Sequence, residues 1–156
     1  MTVLSMIYPA RHRYTRRCRW NYPISSIAIS KTKKEFSAPF DVKLSDKPLT
    51  IVQPDIMVIC DKDKLDGKRC NGAPDFIIEI VSFGNPSDDY IRKLYYYKNT
   101  GVREYWIVDP RRKIITVNYF EENIVSVQYS FDSVIRVNLY DDLYINFSDI
   151  ANLLNI

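Results

Sequence analysis

Cysteine and histidine are scarce in this chain of 156 residues, which contains three cysteines and one histidine. Cys18, Cys60 and Cys70 form no C-x-x-C pair, and their odd number indicates reduced thiols rather than a disulfide framework. A structural zinc site would need a fourth ligand, and His12 stands in a different sequence context. The sequence therefore disfavours both disulfide and zinc stabilisation.

Long apolar runs are missing as well. No window reaches the roughly 18 apolar residues of a membrane span. The N-terminal segment lacks the apolar stretch of a signal peptide because arginines interrupt it, at Arg11, Arg13, Arg16, Arg17 and Arg19. We therefore expect a cytoplasmic protein with no membrane partner. An apolar share of 46% and a charged share of 26% are typical of one globular domain.

Charge is distributed unevenly along the chain. Residues 1–35 contain eight Lys/Arg and one acid, a net charge of +7, whereas residues 36–156 contain 14 basic and 18 acidic residues, a net charge of −4. The basic segment is either an arm that grips phosphates or a solvated, poorly ordered terminus, and the second interpretation is favoured. We divide the chain into this divergent segment, 1–35, and a folded domain, 36–156.

The folded part predicts an α/β domain with a mixed central β-sheet and few helices. Strands are predicted at 40–44, from about Asp55, at 76–81 and 104–108, and near 113–120, 124–131 and 134–140. Ser87 is predicted to cap a helix that runs to about Asn99 and stops at Gly101. A last short helix is predicted over 149–154, capped by Ser148.

Glu79 is the most informative single residue because apolar neighbours surround it in a strand that is predicted to be central. Burying an unpaired carboxylate costs several kcal/mol, so a metal ion, a lysine or an arginine would have to offset that cost. The alternative is that Glu79 lies on the exposed face of an edge strand. The strand pattern alone leaves both interpretations open.

Asp55 starts the strand before that of Glu79, and antiparallel pairing of the two strands would bring both carboxylates to one end of a sheet. Two converging carboxylates suit Mg²⁺, which prefers hard oxygen ligands. Taken alone, Pro54-Asp55 is better explained as an ordinary turn. Asp75 also follows a proline, but it is separated from Glu79 by about 13 Å of strand, so we expect it to organise the loop at the strand entrance.

Lys93 lies in the helix that follows Glu79. It either forms a surface pair with Asp89, one turn earlier, or points back over the strand ends. There it would stabilise a pentacovalent phosphate or orient the attacking water. Ser82 and Arg92 are weaker candidates for phosphate contacts. The three tyrosines at 95–97 are favoured as half core and half surface rather than as a base-stacking platform.

Four blocks of the sequence, taken in order, resemble the Uma-two-like restriction endonuclease family of the PD-(D/E)xK nuclease superfamily. They are residues 53–56, residues 72–82, the set Asp89, Lys93, Leu94 and Tyr97, and residues 101–110. The resemblance covers about 36–120 well and the C-terminal strands loosely. It implies a restriction-endonuclease-like fold, a mixed central sheet with flanking helices, acting on DNA.

The resemblance also implies a site. It implies that Asp55, Glu79 and the backbone carbonyl of Ile80 hold Mg²⁺, with Mn²⁺ as a substitute. In the superfamily's usual strand motif a lysine follows two residues after the glutamate, where this sequence has Val81. The resemblance therefore points to Lys93 on the helix as a migrated third catalytic residue, beside Asp55 and Glu79.

The sequence departs from the family pattern over residues 1–33, which lack the family's glutamate before an Asp-Gly turn and the following His-led helix. Two hypotheses remain. The chain is a Mg²⁺-dependent endodeoxyribonuclease, or it is a non-catalytic relative that keeps the fold as a binding or remnant domain. The acidic body disfavours tight DNA binding by a monomer, which fits either a homodimer or the remnant.

Overall fold

The computed structural model describes residues 28–29, 40–81, 86–121, 126–140 and 143–149. The strands are β1 (Ala28–Ile29), β2 (Asp41–Asp46), β3 (Leu49–Val52), β4 (Ile56–Val58), β5 (Arg69–Asn71), β6 (Phe76–Ile80), β7 (Glu104–Asp109), β8 (Ile114–Tyr119), β9 (Val127–Ser130), β10 (Val134–Arg136) and β11 (Tyr144–Asn146). The long helix α1 spans Pro86–Thr100, and a 3₁₀ turn spans Lys62–Lys64. No helix within these ranges is long and apolar enough to cross a membrane.

The central sheet has six strands in the order β1–β4–β6–β7–β8–β9. Only the β6–β7 pair is parallel, and the other neighbours are antiparallel. A parallel pair needs a crossover connection, which α1 supplies between β6 and β7. The sheet is therefore mixed, as the sequence predicts. The central sheet holds both ends of the α1 crossover, because β6 and β7 both belong to it.

The two faces of the central sheet bury separate apolar clusters, because side chains alternate along a strand. Ile77 of β6 and Tyr105 and Ile107 of β7 pack in one cluster with Tyr97 of α1. Phe76, Ile78 and Trp106 face the other way and pack in a second cluster with the C-terminal segment, which contributes Ile135, Val137, Leu139, Tyr140, Leu143, Ile145 and Phe147. Glu79, two residues after Ile77, thus belongs to the face that α1 covers.

Two smaller sheets contain three strands that the sequence did not predict, β3, β5 and β11. One has the order β3–β2–β5, with β2–β3 antiparallel and β2–β5 parallel, and the other is the β10–β11 pair. β3, β5 and β11 are only three or four residues long. Such segments are too short for alternation to distinguish them from loops, and the predicted 134–140 strand ends at Arg136 for the same reason.

The ends of α1 show how its sequence positions it. The helix begins at Pro86, one residue before the predicted Ser87 cap, because the fixed φ of proline suits the first helical position. It ends at Thr100, and Gly101, with a φ of +98°, follows as the predicted stop. The N–H of Val102 donates to the carbonyl of Tyr97 at 3.2 Å, the bond of a Schellman motif.

Several predicted features lie wholly or partly outside the described residues. They are the segment 1–35 apart from 28–29, the loop at 82–85, the start of the 124–131 strand and the helix after residue 149. Residues 147–149 are already helical, and the Ser148 N–H donates to Oδ1 of Asn146 at 3.2 Å. The helix therefore begins before Ser148, which was the predicted cap.

Candidate active site

Asp55 and Glu79 are brought together by the pairing of β4 with β6. The pair is antiparallel with Ile56 opposite Ile78, so Asp55, one residue earlier, falls opposite Glu79. Directly opposed residues of an antiparallel pair share a sheet face. The antiparallel pairing predicted from the sequence is thus confirmed, and both carboxylates lie at the end of the sheet where β6 finishes.

Glu79 lies inside the protein. Its strand β6 has β4 on one side and β7 on the other, and only 7% of the residue is exposed. The alternative that placed Glu79 on the exposed face of an edge strand is therefore wrong. A carboxylate in this position needs partners for both oxygens.

Helix α1 supplies those partners from two residues one turn apart. The Tyr97 hydroxyl donates to Oε1 of Glu79 at 2.7 Å, and Nζ of Lys93 lies 3.2 Å from Oε2. Lys93 thus points back over the strand, as in the second of the two predicted placements; the side chain of Asp89, the partner in the first, lies outside the described residues. The i,i+4 spacing places both groups on the face of α1 that covers the sheet.

Asp55 is fixed by the backbone of the neighbouring strand. Its Oδ2 accepts a 2.7 Å hydrogen bond from the N–H of Ile80, the residue after Glu79. Burial raises the pKa of Glu79 above its ordinary value, the Tyr97 hydroxyl and the Lys93 ammonium pull it down, and the Asp55 carboxylate raises it again. The two carboxylates, which the β4–β6 register places opposite each other, therefore repel one another, and a cation between them would relieve that repulsion.

The donor set of this cluster fits a hard divalent cation. Within the described ranges, no group of three or more His, Cys, Asp or Glu could hold a metal. Mg²⁺ does not need such a group, because it is commonly bound by one or two carboxylates and keeps several waters. Asp55 and Glu79 supply oxygens only, and the backbone of Ile80 runs beside both. The residues present thus suit Mg²⁺ and do not suit zinc.

Asp75 lies away from this cluster and organises the strand entrance, as predicted. Its Oδ2 accepts the N–H of Cys60 at 2.7 Å, and its Oδ1 lies 3.5 Å from Nη1 of Arg103. Its carbonyl accepts the N–H groups of Arg103 and Glu104 at 3.1 Å each. Asp75 therefore ties β6 to the loop after β4 and to the start of β7.

The remaining weaker candidates are only partly placed. Ser82 lies outside the described residues, and Arg92 is exposed on α1. Of the three consecutive tyrosines, Tyr95 is exposed, Tyr96 half-buried and Tyr97 fully buried, so the prediction of half core and half surface is confirmed. The hydrogen bond of Tyr97 to Glu79 was missed, although its spacing of four from Lys93 was a signal for it.

Glu104 is a second buried carboxylate that sequence reasoning missed. It is fully buried, and its oxygens accept from Nε1 of Trp106 at 2.7 Å, the N–H of Leu139 at 3.1 Å and Nδ2 of Asn138 at 3.4 Å. Burial raises the pKa of its carboxyl, and these donors oppose the rise. Glu104 starts β7, at the opposite end of the β6–β7 pair from Ile80, so it serves packing rather than the site.

Comparison with known proteins identifies the family. A family model described as "Uma2: Putative restriction endonuclease" matches residues 25–147, most of the chain. The chain belongs to the Uma2 family. This confirms the resemblance carried by the four sequence blocks. The Uma2 match also begins within the basic N-terminal segment and includes β1, which pairs with β4 beside the site.

A solved structure supports the fold of this Uma2 family member. It is a protein of Anabaena variabilis ATCC 29413 described as "a putative nuclease belonging to DUF820". The two share 18% sequence identity with a TM-score of 0.59, and the match covers 74% of this chain and 66% of that one. The chain thus spans slightly less than two thirds of that structure. The predicted α/β, restriction-endonuclease-like fold is confirmed. No curated protein matches the sequence.

Proposed function

We propose that this Uma2 family member is a metal-dependent endonuclease that hydrolyses phosphodiester bonds of DNA. The observation that carries the proposal is the meeting of Asp55, Glu79 and Lys93 at one end of the central sheet, from the loop before β4, from β6 and from α1. The family description names restriction endonucleases, whose substrate is DNA. Cytoplasmic location and a homodimer are part of the same proposal.

Asp55, Glu79 and the backbone carbonyl of Ile80 would hold Mg²⁺, or Mn²⁺ in its place. When bound, the ion supplies Lewis-acid polarisation of the phosphate and lowers the pKa of a coordinated water. Asp55 is suited to this because the Ile80 N–H fixes one of its oxygens. Glu79 is suited because its strand is held on both sides by hydrogen-bonded neighbours.

Lys93 supplies positive charge next to the carboxylates. Its ammonium lies 3.2 Å from Oε2 of Glu79, and a quarter of its side chain is exposed, so it is accessible to a phosphate at the mouth of the site. There it would offset the negative charge that develops as a nucleophile attacks the phosphorus, a role worth about 100–1,000-fold for a well-placed group. Tyr97 holds the other oxygen of Glu79 and keeps the carboxylate oriented.

The test separates metal binding from cleavage. Mg²⁺ and Mn²⁺ binding is measured by isothermal titration calorimetry, and cleavage is measured on supercoiled plasmid and on single-stranded DNA. We expect Asp55→Asn and Glu79→Gln to lose metal binding, and to lower cleavage at least about 100-fold. Lys93→Met raises the pKa of Glu79 further, so it should bind metal only at a pH high enough to ionise Glu79. At that pH it should lower cleavage by about 100–1,000-fold.

Asp75→Asn is the matched control, because Asp75 is also an acid near β6 but contacts Cys60 and Arg103 instead of the site. It should bind metal and cleave as the unmodified protein does, with thermal unfolding checking that each variant is folded. Metal binding without cleavage by the unmodified protein would favour the non-catalytic relative. Metal binding that survives both Asp55→Asn and Glu79→Gln would refute the proposed site.

A further inference from the structure

The turn between β7 and β8 contains Arg111, Arg112 and Lys113, the only three consecutive Lys/Arg residues in the sequence. All three are exposed. They stand out because residues 36–156 have a net charge of −4. A body of this charge repels a polyanion unless positive charge is concentrated where the polyanion is bound.

The turn is an ordered structure rather than a loose loop. Oδ1 of Asp109 accepts the backbone N–H groups of Arg111 at 3.0 Å and Arg112 at 3.1 Å. Lys113 has a φ of +53°, which reverses the chain into β8. Nε of Arg112 lies 3.9 Å from Oδ2 of Asp109, yet 79% of the Arg112 side chain is exposed. Asp109 therefore fixes the backbone of the turn while the basic side chains stay accessible.

The sheet topology places this turn at the same end as the candidate site. β6 and β7 are parallel with Glu79 beside Ile107, so both strands finish at one edge, and the turn follows directly after β7. Ile107 is the neighbour of Glu79 on the adjacent strand, and Asp109 lies two residues further along that strand. One strand spacing and two residues of strand together put the start of the turn about 8 Å from the backbone of Glu79.

Helix α1 relates the β7–β8 turn to the candidate site through two of its residues, Tyr90 and Lys93. Burial raises the pKa of Tyr90, the Asp109 carboxylate adds to the rise, and the Arg112 guanidinium opposes it. Tyr90 is therefore within electrostatic reach of the turn, and Lys93 lies one helical turn further along α1. Asp109 follows Ile107 by two residues, so it lies on the sheet face that α1 covers. The turn therefore begins on the same face of the sheet as Glu79 and Lys93.

We propose that Arg111, Arg112 and Lys113 bind the backbone phosphates of the DNA strand that flanks the phosphate placed at Asp55, Glu79 and Lys93. With phosphates about 3.4 Å apart along the axis of each strand, the distance of about 8 Å between Glu79 and the start of the turn corresponds to about two nucleotides. The contacts are to phosphate, so they hold DNA of any sequence. The choice of DNA as the polyanion rests on the proposed function.

The experiment measures DNA binding with no divalent metal, so that it does not depend on cleavage. Fluorescence anisotropy of a short fluorescein-labelled DNA duplex is recorded in EDTA over a series of sodium chloride concentrations. The variant carries Arg111→Gln, Arg112→Gln and Lys113→Asn together, asparagine being chosen because it tolerates a positive φ. Each phosphate contact contributes about 0.9 to the slope of log K against log salt, so we expect the slope to fall by about 2–3.

A second triple variant removes the same charge elsewhere. Lys47→Gln, Lys68→Gln and Lys98→Gln change three exposed lysines, none of them in the β7–β8 turn. This control should keep the slope of the unmodified protein. An equal fall in the control would show that only net charge matters and would overturn the proposal, as would a fall seen only after neutralising Arg16, Arg17 and Arg19.

The two proposals fail in different ways. If Asp55→Asn abolishes cleavage while the turn variant has the same salt slope as the unmodified protein, phosphate binding by the turn is refuted and the nuclease proposal is supported. If the turn variant has a smaller salt slope but the unmodified protein cleaves no DNA, phosphate binding by the turn is supported and the nuclease proposal is refuted. Absence of any duplex binding by the unmodified protein would overturn the inference about the turn.

Discussion

The hydroxyl of Tyr97 donates a 2.7 Å hydrogen bond to Oε1 of Glu79, and the two residues are 0% and 7% exposed. A hydroxyl buried this deeply cannot exchange its partner for water. The ring of Tyr97 is itself held by an edge-to-face contact with Tyr105, at a centroid distance of 4.9 Å. Tyr97 therefore fixes the carboxylate from a rigid position in the core.

Tyr97→Phe removes this hydroxyl and keeps the ring. We expect the free energy of unfolding to fall by about 1.5–3 kcal/mol, the usual range for a hydrogen bond to a charged group. Since the hydroxyl lowers the pKa of Glu79, its loss should raise that pKa further. Mg²⁺ binding needs the carboxylate form, so its midpoint should move to higher pH, as measured by titration calorimetry across a pH series.

Tyr140→Phe is the matched control for this variant. Tyr140 is also buried, but it packs in the cluster on the other face of the sheet. It should leave the pH midpoint of Mg²⁺ binding unchanged, whatever it does to stability. If Tyr97→Phe binds Mg²⁺ with an unshifted pH profile, Tyr97 does not position Glu79 and serves only the core.

Lys93→Met tests the ion pair with Glu79 through stability. Burial raises the pKa of Glu79 above its ordinary value of 4.5, so the folded protein holds a proton that the unfolded chain has already released. The free energy of unfolding therefore falls as pH rises from about 4.5 toward the folded pKa, and it levels off above that. Lys93 opposes the rise, so its removal should deepen this fall and extend it to higher pH.

The expected loss is about 1–3 kcal/mol at neutral pH and much less at acid pH. A fully buried pair would lose about 3–5 kcal/mol, but a quarter of the Lys93 side chain is exposed, so solvent screens part of the interaction. Urea unfolding over a pH series measures it, with Lys98→Met, an exposed lysine of the same helix, as control. Curves for Lys93→Met and the unmodified protein that run parallel at every pH would contradict the prediction.

Strong local sequence patterns predicted the strand and the helix that carry Glu79 and Lys93. The apolar run around Glu79 predicted β6, Gly101 predicted the end of α1, and these two elements place Glu79 and Lys93 opposite each other. Antiparallel pairing of β4 with β6 could be proposed because a strand pattern followed Asp55. In each case the pattern of a few adjacent residues determines where the strand or helix begins or ends.

What the sequence did not reveal depends on contacts between distant residues. The β3–β2–β5 sheet joins short strands, one pair of them parallel, whose pairing is decided by packing rather than by alternation. Glu104 begins an apolar strand, and nothing local shows that its partners come from Asn138 and Leu139, more than 30 residues away. The end of the sheet at which Arg111 would lie became clear only with the register of β6 and β7.

Glu104 gives a last prediction, which concerns pH and is independent of the metal site. Burial raises the pKa of its carboxyl above 4.5 in the folded protein, whereas in the unfolded chain the group titrates normally. Between pH 4.5 and the raised pKa of Glu104, the folded state therefore holds a proton that the unfolded chain has released. The free energy of unfolding falls as pH rises through that window. Glu104→Gln cannot ionise, so its fall with pH should be shallower than that of the unmodified protein.

Urea unfolding of Glu104→Gln over the same pH series checks this expectation, with Asp46→Asn as control because the side chain of Asp46 is 75% exposed. Glutamine offers one acceptor oxygen where the carboxylate offers two, and the donors around it are Trp106, Leu139 and Asn138. One donor is then left without an acceptor, which should cost about 1–3 kcal/mol at acid pH, where the Glu104 carboxyl contributes most to stability. The two curves should therefore converge as pH rises, because only the unmodified protein loses stability through ionisation at this position. A constant offset between them would mean that Glu104 titrates in the folded protein as it does in the unfolded chain.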